Sequence, residues 1–160
     1  MRNYICVYGT FEGLHEGHRA LIKTSIEYAI GMNKKLVILV SSNEYAQSKR
    51  RGTSSYIERC YMISEFIKAD KDWKYYVDYS FAEYLDPFPN GKAFGVVTSK
   101  DTIQESINYR DIFDPKLLIL IAPTVYGEDG KPISSTKIIG DEIVQPEKPL
   151  LNGTYKIKDV

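Results

Sequence analysis

The stretch Tyr4-Ile5-Cys6-Val7-Tyr8-Gly9-Thr10-Phe11-Glu12-Gly13-Leu14-His15-Glu16-Gly17-His18 changes character at its glycine. Residues Tyr4 to Tyr8 are apolar or aromatic, and Gly9 closes the run, which suits a strand buried on both faces of a sheet. From Gly17 to about Met32 the apolar residues Leu21, Ile22, Ile26, Ala29 and Ile30 recur at helical intervals, and Gly31 and Asn33 supply a stop. Leu36 to Val40 then forms a second apolar run, so the segment reads strand, helix, strand. Such a unit implies parallel pairing with a right-handed crossover.

The same alternation continues. A helix is expected from Ser55 to Lys68, with Ser54 or Ser55 as its cap and Ile57, Tyr61, Ser64 and Ile67 near one face. Tyr75 to Asp78 reads as a third strand, and Ser80 to Lys92 as an irregular loop because it carries Asp86-Pro87-Phe88-Pro89-Asn90-Gly91. Ala93 to Thr98 reads as a fourth strand, Thr102 to Phe113 as a helix capped by Asp101, and Leu117 to Ala122 as a fifth strand. A last helix is expected to begin in the Ser134 to Thr136 region. The fold class is therefore α/β, a doubly wound, Rossmann-like sheet of five parallel strands, which binds ligands beyond the carboxyl ends of its strands. Residues 1–144 form the expected domain, and 145–160, opening on Gln145-Pro146-Glu147-Lys148-Pro149, a tail that packs on the domain or on a second copy in a homo-oligomer.

Composition narrows the function. The chain has 160 residues, 43% hydrophobic and 26% charged, with 21 basic and 21 acidic side chains and a net charge of zero. That balance argues against a protein that coats nucleic acid or an anionic membrane, so any positive site must be local. The apolar runs, such as Leu36 to Val40, fall far short of the ~20 residues that span a bilayer. The opening apolar run is too brief for a secretory signal, and a cytoplasmic location is expected. Cys6 and Cys60 stand in no C-x-x-C pair and read as reduced core residues. The thirteen tyrosines, several between Tyr56 and Tyr84, read as ordinary packing.

The two histidines, His15 and His18, stand three residues apart just after the first strand. Helical spacing would put both imidazoles on one side of a helix N-terminus, where unpaired N–H groups favour an anion. Gly17 between them leaves room for backbone or ligand. Three explanations are open at this point. The pair could be polar residues of a solvent-facing loop. With Glu12 or Glu16 it could bind zinc, although tetrahedral sites want three or four ligands and no further histidine is available. Or the imidazoles could donate hydrogen bonds to phosphate oxygens as charge shifts during transfer.

Gly9-Thr10-Phe11-Glu12-Gly13-Leu14-His15-Glu16-Gly17-His18 resembles the G-T-F-x-x-x-H-x-G-H signature of the nucleotidyltransferase superfamily, which includes the class I aminoacyl-tRNA synthetase catalytic domains. Ile133-Ser134-Ser135-Thr136-Lys137-Ile138 is similar to its I-S-S-T-x-I element. With Glu128-Asp129-Gly130-Lys131-Pro132, Asp86-Pro87-Phe88 and Val96-Val97-Thr98-Ser99-Lys100-Asp101-Thr102, the chain looks like the archaeal and eukaryotic type of phosphopantetheine adenylyltransferase over about residues 4–143. It departs from that branch at Tyr8, where glycine is frequent, at Thr98-Ser99-Lys100-Asp101-Thr102 in place of V-S-P-E-T, and in the close spacing of Asn108 and Arg110.

The resemblance implies adenylyl transfer from ATP to 4′-phosphopantetheine, giving dephospho-coenzyme A and pyrophosphate. It implies that His18 bonds the α-phosphate in the transition state, His15 holds the triphosphate, and Thr10 touches the attacking phosphate. Gly9, Phe11 and Gly17 would form the nucleotide side, and Ser134, Ser135, Thr136 and Lys137 would hold the β- and γ-phosphates. Lys49, or Arg50 in its place, would reach the acceptor phosphate, while Arg59 aligns with a family arginine of structural character. Mg²⁺ is expected with ATP, held by phosphates and water without protein ligands. A cytidylyltransferase, a mononucleotide adenylyltransferase or a nucleotide-binding module without catalysis are the alternatives. Gly130-Lys131-Pro132-Ile133-Ser134-Ser135-Thr136 differs from the R-T-x-G-I-S-T-T run of cytidylyltransferases and leans toward ATP.

Overall fold

The computed structural model describes residues 3–49, 52–70, 77–84, 93–100 and 102–122. Strand β1 (Tyr4–Gly9) leads through a single 3-10 turn, Glu12–Leu14, into helix α1 (Glu16–Met32). There follow β2 (Lys35–Ser41), α2 (Asn43–Lys49), α3 (Tyr56–Lys68), β3 (Tyr79–Tyr84), β4 (Gly95–Thr98), α4 (Ile103–Phe113) and β5 (Leu118–Ile121). The strands form one five-stranded sheet in the order β3-β2-β1-β4-β5, and every pairing is parallel. The chain steps one way from β1 to β3 and the other way from β4 to β5, so the topological reversal lies between β1 and β4.

Alternation along β1 divides the core. Ile5 and Val7 join α1 and α3 through Ile22, Ile26, Ala29, Ile63 and Ile67. Cys6 and Tyr8 face the opposite side, with Ile103 and Ile107 of α4. Helices thus cover both faces, as expected of a doubly wound sheet, and each fully buried aliphatic side chain contributes ~1.5–3 kcal/mol. Helix α1 ends where Asn33 takes a left-handed conformation at φ 54° and its N–H returns to the carbonyls of Ala29 and Ile30. Ser55 is the cap of α3, its hydroxyl accepting the Glu58 N–H.

Three expectations need correction. The third strand is Tyr79–Tyr84, so it takes up the start of the segment read as a loop; of the residues expected to form it, 77 and 78 precede the strand and 75–76 lie outside the described residues. Its alternation sends Tyr79 and Phe81 toward α3 and Ala82 and Tyr84 toward α4, a half-buried edge pattern hidden by the prolines downstream. Helix α2 was not expected; it is short and carries little periodicity, but Ser42 Oγ accepts the Tyr45 N–H at its start. On α3, Ile57 and Tyr61 are 75% and 62% exposed, and the inward row is Arg59, Ile63 and Ile67. A buried arginine stands where a hydrophobic residue would have revealed that face. Thr102, without a side-chain capping bond, precedes α4; Asp101, expected as its cap, and residues 145–160, expected as a tail, lie outside the described residues. Both cysteines are free, Cys6 buried and Cys60 half-buried, and burial pushes the Cys6 thiol up to about 12. Among the described residues no helix is long and apolar enough to cross a membrane.

Candidate active site

The carboxyl end of β1 lies at the reversal of strand order, where an open α/β sheet leaves a crevice. The loop leaving it is tightly wound: Phe11, Gly13 and Leu14 have φ of 57°, 71° and 39°. Bulky residues in the left-handed region cost ~1–3 kcal/mol each and persist only where the surroundings hold them. Burial of both Phe11 and Leu14 supplies that hold. The Phe11 ring lies against Gly9, where an added Cβ would stand 3.3 Å from Cε2 and Cζ of the ring.

His15 is the N-cap of α1. Its Nδ1 accepts the Gly17 N–H at 3.1 Å and the His18 N–H at 3.4 Å, so the neutral ring carries its proton on Nε2. The imidazole folds back over the first turn, and a Cβ on Gly17 would stand 3.0 Å from its Cε1. The glycine therefore makes room for the histidine ring. His18 stacks on His15, with centroids 3.7 Å apart and planes 19° from parallel, and meets Phe11 edge-on at 5.5 Å. Burial, and then the neighbouring His15, push the His18 imidazole down to about 4, against a smaller opposing pull from Glu12. Nδ1 of His18 is buried without a partner among the described residues, which leaves Nε2 as the atom able to serve a ligand.

Thr10 is anchored from behind. Its hydroxyl accepts a hydrogen bond from Ser41 Oγ at 2.9 Å, and its carbonyl accepts one from Arg59 Nη1 at 3.0 Å. Arg59 is 1% exposed; it also bonds Ser41 Oγ and the Ser54 carbonyl, joining the loop, the end of β2 and the approach to α3. Glu12 fastens the other side, Oε1 accepting from the Ser54 N–H at 2.9 Å. A groove of about 500 Å³ opens between this loop and α3, walled by Phe11, Gly13, Ile57, Tyr61 and Met62. On the other face Tyr8 reaches Ser106 Oγ at 3.0 Å and the Thr102 carbonyl at 3.2 Å.

The structure thus brings together Gly9, Thr10, Phe11, His15, Gly17 and His18. Lys49 closes α2, and its side chain, like Arg50, Ser134, Ser135, Thr136 and Lys137, lies outside the described residues. Sequence reasoning passed over Ser41 and the direct hold of Arg59 on Thr10. The available signal was a polar pair, Ser41-Ser42, at the end of a buried strand.

The cytidylyltransferase-like family model matches residues 6–141. Phosphopantetheine adenylyltransferase of Methanothermobacter thermautotrophicus is 32% identical over 147 residues, covering 87% of this chain and 84% of the relative. The enzyme of the same name from Methanosarcina mazei is 32% identical over 145 residues, covering 87% and 92%. A protein of unknown function from Archaeoglobus fulgidus has a solved structure that matches with a TM-score of 0.63 at 20% identity, covering 84% of this chain and 100% of that one; this likeness concerns the fold alone. A match over most of the chain, on a parallel sheet whose first loop carries G-T-F and H-x-G-H, shows that the chain belongs to the cytidylyltransferase-like family of nucleotidyltransferases, alongside the archaeal phosphopantetheine adenylyltransferases.

Proposed function

We propose that the chain transfers the adenylyl group of ATP to 4′-phosphopantetheine, forming dephospho-coenzyme A and releasing pyrophosphate. The observation that carries this reading is the pair of stacked imidazoles, His15 and His18, in the same loop as the anchored Thr10 at the carboxyl end of β1, in a chain whose relatives bear that enzyme's name. An oxygen of the acceptor phosphate attacks the α-phosphorus of ATP; the bond from that phosphorus to the β-phosphate oxygen breaks, and the electron pair leaves with pyrophosphate. No covalent enzyme intermediate is required, so catalysis rests on positioning and on donors aimed at developing charge.

A neutral His18 suits this work. With Nδ1 enclosed, its Nε2–H would donate to the α-phosphate as negative charge grows there. His15, its Nδ1 committed to the helix start, would offer Nε2–H to the triphosphate. Thr10 would hold the attacking phosphate, with Lys49 adding charge, and Gly9, Phe11 and Gly17 would shape the nucleotide side. Ser134, Ser135, Thr136 and Lys137 would receive the β- and γ-phosphates. Magnesium would enter with ATP and neutralise phosphate charge; among the described residues no group of three or more His, Cys, Asp or Glu side chains could hold a metal ion, and phosphates and water would supply its ligands. The reaction belongs in the cytoplasm in this reading.

The test is pyrophosphate release by the purified protein with Mg²⁺, ATP or CTP, and a panel of phosphorylated acceptors. Turnover with ATP and phosphopantetheine alone is expected. Turnover only with CTP or only with another acceptor would overturn the assignment, as would nucleotide binding without turnover.

A further inference from the structure

The bonds behind Thr10 run in one direction. A guanidinium can only donate, and Arg59 Nη1 gives one hydrogen to the Thr10 carbonyl and another to Ser41 Oγ, each at 3.0 Å. Ser41 is 0% exposed, so its own proton must find an acceptor within the protein. Thr10 Oγ1, at 2.9 Å, is that acceptor. The threonine hydroxyl therefore receives a hydrogen from behind, and no other bond of that hydroxyl occurs among the described residues. Among the described residues its own hydrogen has no acceptor, which leaves it for an arriving group.

We infer that Arg59 is a positioning residue which, through Ser41, turns the hydrogen of the Thr10 hydroxyl outward and so favours an anionic oxygen, such as one of a phosphate monoester, at that place. This rests on the reading above that Thr10 meets the acceptor phosphate. An unassisted threonine can donate or accept and would tolerate a neutral alcohol or an amine. Here an incoming donor would meet a hydroxyl with one of its two lone pairs already taken by Ser41, whereas an anion meets its free hydrogen. The cation at the far end also polarises the hydroxyls in series, strengthening the final donor. The arrangement explains why a fully buried arginine is placed under the loop: its three bonded hydrogens reach three separate segments.

The test is a double-mutant cycle read by binding of inorganic phosphate, followed by NMR titration, beside acceptor-dependent pyrophosphate release. Thr10→Val and Ser41→Ala are each expected to weaken phosphate binding about tenfold. The double variant is expected to bind no more weakly than Thr10→Val, because Ser41 acts through a hydroxyl already removed. Ser41→Cys keeps the side-chain volume with a poor relay and is expected to weaken binding in the same way, which covers the case in which the alanine variant does not fold. Additive losses, wild-type affinity in both Ser41 variants, or no phosphate binding by the unaltered protein would overturn the relay. Phosphate binding does not depend on turnover, so the two readings fail separately. A coupled cycle without pyrophosphate release leaves the relay standing and removes the adenylyltransferase reading; turnover with an additive cycle does the reverse.

Discussion

His18 spends the neutral pH range without charge, since its imidazole is pushed down to about 4 from an ordinary 6.5 by burial and by His15. The sign follows. The unfolded chain takes up this proton first as pH falls, so the stability tied to the neutral ring is complete above 6.5 and is lost as pH falls from 6.5 through about 4. An NMR titration of the two imidazoles is expected to place His18 near 4; a midpoint close to 6.5 would remove the neutral-donor role. His18→Ala is expected to lower turnover by a factor on the order of a hundred or more with the fold retained, as measured by pyrophosphate release and circular dichroism. Gly17→Ala separates activity from stability. Alanine is the better helix former by about 1 kcal/mol, yet its Cβ would stand 3.0 Å from the His15 ring. Activity should fall sharply while thermal stability changes little, and an active Gly17→Ala enzyme would show that the folded-back imidazole is dispensable.

Helix α3 carries more than its length suggests, because Arg59 ties it to the loop after β1. Ser55 starts that helix, accepting the Glu58 N–H and donating to Glu58 Oε1, both at 3.1 Å. Ser55→Ala is expected to cost about 1 kcal/mol in denaturant unfolding, and no measurable loss would mean that tertiary contacts alone set the helix start. The serine cap and the run from Gly17 to Met32 were legible in the sequence because capping and helical period are local properties. The inner row of α3 was not. A charged side chain breaks the apolar pattern, and its acceptors on Thr10, Ser41 and Ser54, distant in the chain or outside the helix, explain its burial. Edge strand β3 escaped for a related cause, since a half-buried strand needs only a weak alternation of side chains.

Across the sheet, the two buried faces left near-continuous Val and Ile runs, and the parallel order could be read from the strand–helix alternation. The loop after β1 was equally readable as a cluster, since its histidines, glycines and threonine adjoin one another in the chain. What joins that loop to Ser41 and Arg59 spans |i−j| of 31 and 49 and leaves no local signal. Packing is tight between β4 and β5 as well. A Cβ on Gly95 would stand 3.1 Å from the Leu118 carbonyl oxygen, so Gly95→Val is expected to destabilise the protein by ~1–3 kcal/mol in thermal unfolding, and an unaltered melting temperature would contradict that packing. The central place of β1, paired on both sides, also bears on how the molecule breathes. Rim strands can detach in partial openings, but amides flanked by two neighbours exchange with deuterium mainly when everything comes apart. The amide protons of Cys6 and Val7 should therefore be the last to exchange, and the loop of Thr10 and the two histidines, springing from that strand, should keep its anchor through every fluctuation short of full denaturation.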